Sequence, residues 1–524
     1  MAIKRYIADA DNTITNAFRA NLETRGTGSN MGQSDILEVF SIYAQANSSS
    51  SELERILIKF PVTGTSAGYA SYDREQGNIP ASGSVSFYLR MFNAKHSQTT
   101  PSNFNLIVSA ISQSWNEGLG LDMEDYKDLG FPTITGSTWM TASFSNPWHT
   151  PGGDYYAKPV FSQSFADGTE DLEVEVTSLV EEWLAGTKTN YGFGVHITGS
   201  QEAYSTASLD SVLINTAGAK QSYYTKKFHA RKSEFFFKRP VVEARWDNKI
   251  TDDRNNFYYS SSLADSVDNL NTLYLYNYVK GNLKNIKGIG KKVAIYVSLY
   301  SGSVDNEVPN GSKLSASGDV AVLDATIGTN ITGGYAWQGT GIYTASFALT
   351  GNTEGILTKV FDVWHNGSGS VLKAGTVQYA TSSFEPKFLS ASMESPGKDY
   401  VTKITNLKST YSSDEEVRFR VFNRPKNWNP NIYTVAASTV ESTIIESASF
   451  KIYRIRDNYE VIRHSTSSVD KETFLSYDKA GNYFDLDMSI FEPDYAYGIE
   501  LAYHVGDKWV IQKDKFRFRV EERK

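Results

Sequence analysis

Two runs of this sequence concentrate side chains with chemical potential. In "LDMEDYKDLG", Asp122, Glu124, Asp125 and Asp128 gather carboxylate oxygens, the ligands that calcium, a hard cation of six to eight coordination, takes. Their order lacks the spacing of a calcium-binding hand, so a solvated acidic loop competes with an ion site. In "STWMTASFSNPWHTPGGDYY", Trp139, Trp148, Tyr155 and Tyr156 stand beside Gly, Pro and Asp154. Flat rings of this kind stack on the apolar face of a sugar while a carboxylate takes its hydroxyls. The competing reading is packing at the edge of a core, or against another subunit.

Other chemistry finds little support. The seven histidines (His96, His149, His196, His229, His365, His464 and His504) are scattered, with no His-x-His or His-Glu-x-x-His spacing to hold zinc. There is no cysteine, which removes disulfides, thiol nucleophiles and thiolate metal sites. "GSGS" at Gly367–Ser370 falls in a hairpin pattern, whereas a nucleophile elbow joins a strand to a helix. "NIKGIGKK" at Asn285–Lys292 lacks Walker spacing and reads as a cationic loop. No cofactor, metal or catalytic residue is expected, and the chain is expected not to be an enzyme.

The formal net charge of −8 is spread without a polybasic block, the opposite of a phosphate-tracking nucleic-acid binder. No apolar run has the length of a signal peptide or a membrane helix. Synthesis in a cytoplasm, with no membrane and no nucleic acid among the partners, is the expectation.

These candidate groups sit in a chain patterned for sheets. Period-two alternation recurs in "ERILIKFPV", "VSFYLRMFNA", "NLIVSAIS" and "DLEVEVT", punctuated by Gly, Asn, Asp and Ser. The 524 residues suit roughly three domains. Boundaries near Ala230 and Pro386 give residues 1–230, 231–385 (with a long loop excursion) and 386–524. The expected fold is all-β: an N-terminal jelly-roll-like sandwich with one short helix, then two immunoglobulin-like sandwiches.

The one helical pattern is "SLVEEWLAGTKTNYGFGVHI". Ser178 and Glu181 match a capping box, and Gly186 suits a left-handed C-terminal cap. Leu179, Val180, Trp183 and Leu184 form one apolar stripe. Two turns are not stable alone in water, so Trp183 is expected to lie against a sheet, as core rather than as a ligand platform.

Here the sequence resembles DNRLRE-type modules over roughly residues 1–215. "LEVEVTSLVEEWLAGTKTNYGFGVHI" is similar to their closing strand, helix and "NYGF" segment. "LERILIKFPV" resembles the strand with a central Arg, here Arg55. "VSFYLRMF" resembles the next strand. "SWNEGLG", with Trp115, resembles the Trp-x-Glu-Gly motif, and the Trp139–Tyr156 run stands at the second Trp-bearing loop. The opening Gly-Asn-Tyr-Gly is represented only by "NLETRGTGSNMGQSD". Some such modules are associated with polysaccharide binding.

Beyond residue 215, "RPVVEARWDNKITDDRNNFYYSSSLADSVDNLNTLYLYNYVKGNLKNI" resembles the middle part of structural proteins of tailed phages of marine bacteria. The resemblance implies a virion protein of the tail, neck or capsid exterior, partnered by copies of itself and other virion proteins. A carbohydrate-binding adhesin recognising host glycan is the alternative. In "HARKSEFFFKRPVVEARW", Phe235, Phe236 and Phe237 with Lys238 and Arg239 form a candidate junction between domains or subunits, or else simply open a strand of the second domain.

Overall fold

The computed structural model describes residues 2–43, 50–95, 101–121, 136–206, 214–260, 265, 268–287, 295–303, 308–309, 311, 314, 316–318, 321–323, 326–329, 341–349, 357–365, 377–387, 399–427, 442–467 and 470–523. The chain is all-β, as its alternating pattern predicts, with 49% of it in strands. It divides into two compact units, Ile3–Arg245 and Trp246–Lys524 with Met1–Ala2.

The described residues of the Ile3–Arg245 unit form thirteen strands: β1 (Ile3–Ile7), β2 (Ala10–Thr15), β3 (Ile36–Tyr43), β4 (Ser51–Lys59), β5 (Ser86–Met91), β6 (Phe104–Ile111), β7 (Thr141–Ser143), β8 (Asn146–Pro147), β9 (Tyr155–Phe165), β10 (Leu172–Glu175), β11 (Phe193–Ile197), β12 (Tyr223–His229) and β13 (Val241–Arg245). One sheet has the order β1-β13-β5-β10. A second runs β12-β3-β4-β11-β6-β9, with β2 also paired to β4. Strand β4 is buried along nearly its whole length, so the larger sheet is covered on both faces there.

The boundary expected near Ala230 is corrected by β13, which pairs antiparallel with both β1 and β5. An inner strand cannot leave its sheet without stranding two rows of backbone hydrogen bonds, so this unit continues to Arg245. The β13 side chains also complete a charge ladder. Buried Glu243 accepts from Arg5 (2.8 Å), Arg90 (3.2 Å) and Arg245 (2.7 Å), and Arg245 reaches Glu173 on β10 at 2.6 Å.

Two α-helices occur among the described residues of the unit, α1 (Ala70–Gln76) and α2 (Thr177–Leu184). The sequence pattern announces only the second. Trp183 is buried as expected, edge-on to Phe193 at 4.8 Å. Gly186 is left-handed at φ +74°, and the bonds Gly186 N–H to Trp183 O and Thr187 N–H to Glu182 O form a Schellman cap.

The capping box is not formed. The helix opens at Thr177, two residues earlier than a Ser178 N-cap would give, and its N-cap Val176 makes no side-chain cap. Thr177 Oγ1 instead accepts from Phe87 N–H at 2.9 Å, tying the helix start to β5. Glu181, freed from a local role, takes a bidentate bond from Arg74 of α1 at 2.6 and 2.8 Å. A charge-assisted fork outcompetes a single backbone N–H.

Among its described residues the second unit contains two pairs of sheets and a two-stranded ribbon, Tyr278–Val279 with Asn282–Leu283. In the first pair, the strand orders are Asn271–Tyr276, Ile342–Leu349, Ala316–Gly318, Ala321–Leu323 and Thr326–Thr329, Ile295–Gly302, Lys359–His365, Gln378–Phe384. A core of Phe257, Leu273, Val297, Phe347 and Trp364 belongs to them. In the second pair, Tyr400–Ile404, Glu416–Pro425, Gly481–Asp487 and Ser476–Asp478 form one sheet. Thr410–Ser412, Lys508–Glu521, Ala496–Val505, Ala448–Arg454 and Tyr459–Ile462 form the other. Phe484 stacks on Phe419 and Phe450 at 5.2 and 4.5 Å. Gly506 and Asp507, both at positive φ, turn the last hairpin, as their chemistry requires.

Candidate functional site

Trp115, Trp139, Trp148 and Tyr155, among the residues singled out in the first unit, gather in one layer on the larger sheet. Ile14 of β2, Leu53 and Leu57 of β4 and Ile111 of β6 form its floor, and Trp139, Ala142 and Trp148 are packed onto them, with Trp115, Tyr155 and Tyr191 at the margin. The short β7–β8 hairpin carries this cover. Trp139 is 0% exposed and Trp148 5%. Trp148 Nε1 donates to Thr138 O at 2.9 Å.

A stacking platform needs an open ring face, which neither tryptophan has. Asp154 is likewise committed: its carboxylate accepts from the backbone N–H groups of His149 and Thr150, both at 2.9 Å. His149, 88% exposed, meets the same carboxylate through Nδ1 at 2.9 Å. Tyr155 donates to Gly152 O at 2.8 Å. Tyr156 is half-buried, with the Lys188 ammonium over its ring at 5.4 Å. Trp148, Asp154 and Tyr155 are therefore used by the protein to hold its own loop, with Trp139 packed beneath as core.

The centre of the layer is a group that sequence reasoning named only in part. Arg55, from the middle of β4, sends Nη2 to both carboxylate oxygens of Glu202 at 3.0 and 3.1 Å and Nη1 to Gly152 O at 3.2 Å. Its guanidinium lies 5.4 Å from the Trp139 ring and 6.0 Å from that of Tyr155. Gly152, at φ +89°, leaves no room for a Cβ, which would meet the Trp139 ring at 2.8 Å.

Burial alone would lower the Arg55 pKa, but the Glu202 carboxylate outweighs it and holds it above its ordinary value. Burial pushes the Tyr155 hydroxyl up to about 12. His196, 3.9 Å from Glu202, is lowered by burial and by the Arg55 charge. The cation, with the phenol raised and the imidazole shifted toward its neutral form beside it, makes a brace that fastens Gly152 and Glu202 to β4.

A second fastening joins the loops that the resemblance singled out. Asn30, in the opening loop, donates to Glu117 O (2.7 Å) and Ser137 O (2.8 Å) and accepts from Gly120 N–H (2.9 Å). A Cβ on Gly120 would stand 1.5 Å from Asn30 O. Glu117 of the Trp-x-Glu-Gly run takes a forked bond from Arg231 and accepts from Asp11 N–H at 3.0 Å. Trp115 Nε1 donates to Tyr191 O at 2.7 Å. The clustering of Gly and Asn was the only sequence signal for Asn30, and Glu202 had none.

The remaining candidates fall elsewhere. Phe236–Lys238 is a 3-10 turn, not a strand. Phe237 is buried and Phe235 is 54% exposed. Lys238 lies over Phe92 at 5.6 Å, and Arg239 donates to Ser233 O at 3.0 Å. Proline follows directly and ends any ladder there. Asp122, Glu124, Asp125 and Asp128 lie outside the described residues, as do His96 and the Gly367–Ser370 run. Among the described residues, no group of three or more His, Cys, Asp or Glu could hold a metal ion, and no helix is long and apolar enough to cross a membrane.

No family model matches the chain, and no curated protein matches it.

Proposed function

We propose that the chain is a non-enzymatic structural protein of a tailed-bacteriophage virion, a component of the tail, neck or capsid exterior. It acts through protein–protein contacts with copies of itself and with other virion proteins. The observation that carries this reading is the Arg55–Glu202 brace. The most chemically capable cluster of the first unit is spent on fixing loops to a sheet, which makes a surface of defined shape. The resemblance of the first 215 residues to DNRLRE-type modules, and of the middle of the chain to marine phage structural proteins, supports the same conclusion. Jelly-roll-like and immunoglobulin-like sandwiches are the proposed descriptions of its parts. Exposed Phe235 beside Lys238 and Arg239 is the proposed contact patch, since an aromatic anchor rimmed by cations suits a protein interface.

The test is mass spectrometry of purified particles, with sedimentation of the isolated chain. The chain is expected in the particles at a fixed ratio to the major structural proteins. Its absence from washed particles, or turnover of a substrate abolished by one carboxylate substitution in a folded protein, would end this reading.

A further inference from the structure

We infer that the second unit carries a binding groove for a neutral saccharide, one or two sugar rings long, walled by Tyr258, Tyr400 and the Ser442–Ser447 loop. A concavity of about 490 Å³ opens there, bordered also by Asn256, Lys387 and His504, within the size range of small-molecule sites.

Its walls are held from behind by hydrogen bonds. Asn271 clamps the Tyr258 backbone, accepting from its N–H at 3.0 Å and donating to its carbonyl at 2.9 Å. Lys387 is fixed by the bonds Lys387 N–H to Phe257 O and Tyr259 N–H to Lys387 O. The Ser442–Ser447 loop is fastened by two fully buried asparagines. Asn482 accepts from Ile445 N–H at 2.9 Å and donates to Ile445 O at 2.8 Å, while Asn423 O accepts from Thr443 N–H at 2.8 Å. Asn423 Oδ1 also accepts from Tyr503 Oη at 2.6 Å, and the Tyr503 ring braces that of Tyr400 edge-on at 5.7 Å. Buried polar networks of this kind, fully satisfied, rigidify what they hold. A groove already ordered loses little entropy when a ligand arrives.

The lining selects the ligand class. It is mostly polar and carries one ion of each sign, Lys387 and Glu446, so it favours neither an anion nor a metal. Glu446 is exposed and oriented by Asn256 Nδ2 at 2.8 Å. Carboxylate, amide and ammonium groups beside two half-buried tyrosine rings match alternating hydroxyls on a ring with an apolar face. The site is separate from the Trp139–Tyr156 layer and needs none of its residues.

Saturation-transfer NMR on the full chain tests this, with the methyl glycosides of glucose, galactose and mannose, N-acetylglucosamine and maltose as probes. At least one is expected to bind with a Kd of about 1 mM or better. Tyr400→Ala and Glu446→Ala are each expected to weaken it at least about fivefold, while Trp148→Ala leaves it unchanged wherever that variant folds. Glu446 is exposed, so its variant retains the fold even if Tyr400→Ala does not. No transfer to any probe, binding unaffected by Glu446→Ala, or binding confined to a carboxylated sugar such as N-acetylneuraminic acid would each overturn the inference.

Discussion

Arg55 and Glu202, 147 positions apart, meet in a buried bidentate ion pair beneath the Trp139 ring. Removing one partner leaves the other charged and dry, which costs about 3–5 kcal/mol. Arg55→Met is expected to lose this much in urea unfolding. Arg55→Met with Glu202→Gln is expected to recover a substantial part, because no charge is then left alone. Equal losses in the single and double variants would show that the ion pair is not the brace.

Trp183 fills the space between α2 and Phe193. Trp183→Ala is expected to cost about 3–5 kcal/mol through the cavity it leaves. Gly186→Ala, by contrast, should cost only about 1–2 kcal/mol, the strain of a Cβ in a left-handed position. Thermal unfolding of the two variants should rank them in that order.

Glu54 is fully buried, and both of its carboxylate oxygens lack a hydrogen-bond partner among the described residues. Burial raises its pKa well above the usual carboxylate range. The neighbouring Glu38 adds to the shift and Lys227 opposes it. An acid raised on folding contributes stability below its unfolded pKa and loses it as pH rises toward the folded one, by about 1.4 kcal/mol per pH unit. Glu54→Gln removes that slope, so it should be more stable than the parent at pH 8 and lose the advantage near pH 4.5. Midpoints measured across this range give the difference directly.

Glu243 behaves in the opposite sense. Burial pushes its pKa up, but the guanidinium groups of Arg5, Arg90 and Arg245 outweigh this and hold it far below the ordinary value. Its stabilisation is present above the unfolded carboxylate pKa and is lost as pH falls through the folded one. Glu243→Gln is expected to cost about 3–5 kcal/mol at pH 7 and to flatten the acid limb of the stability profile. A parallel acid limb in parent and variant would show that the ladder titrates elsewhere.

The limits of legibility are visible in these pairs. Alternation in "LEVEVT" and in "ERILIKF" is a local pattern with the period of a strand, so the all-β class and the core position of Trp183 are readable without a fold. Gly186 is readable for the same reason, because a left-handed cap is a property of one residue and its neighbours. The missing capping box shows where this ends. Ser178 and Glu181 have the right spacing, yet Arg74, from a helix that the pattern did not announce, offers Glu181 a stronger bond.

Composition and periodicity by themselves determined that the chain makes sheets, places a tryptophan-bearing two-turn helix against one of them, and lacks cysteine chemistry. Only the tertiary structure decided that Trp139 and Trp148 face inward, that Asp154 serves its own loop, and that Val241–Arg245 belongs to the first unit. Those outcomes depend on which distant residue arrives within about 3 Å, where desolvation and pairing set the energy. Glu202 and Asn30 have no local signature because their partners are chosen by the fold.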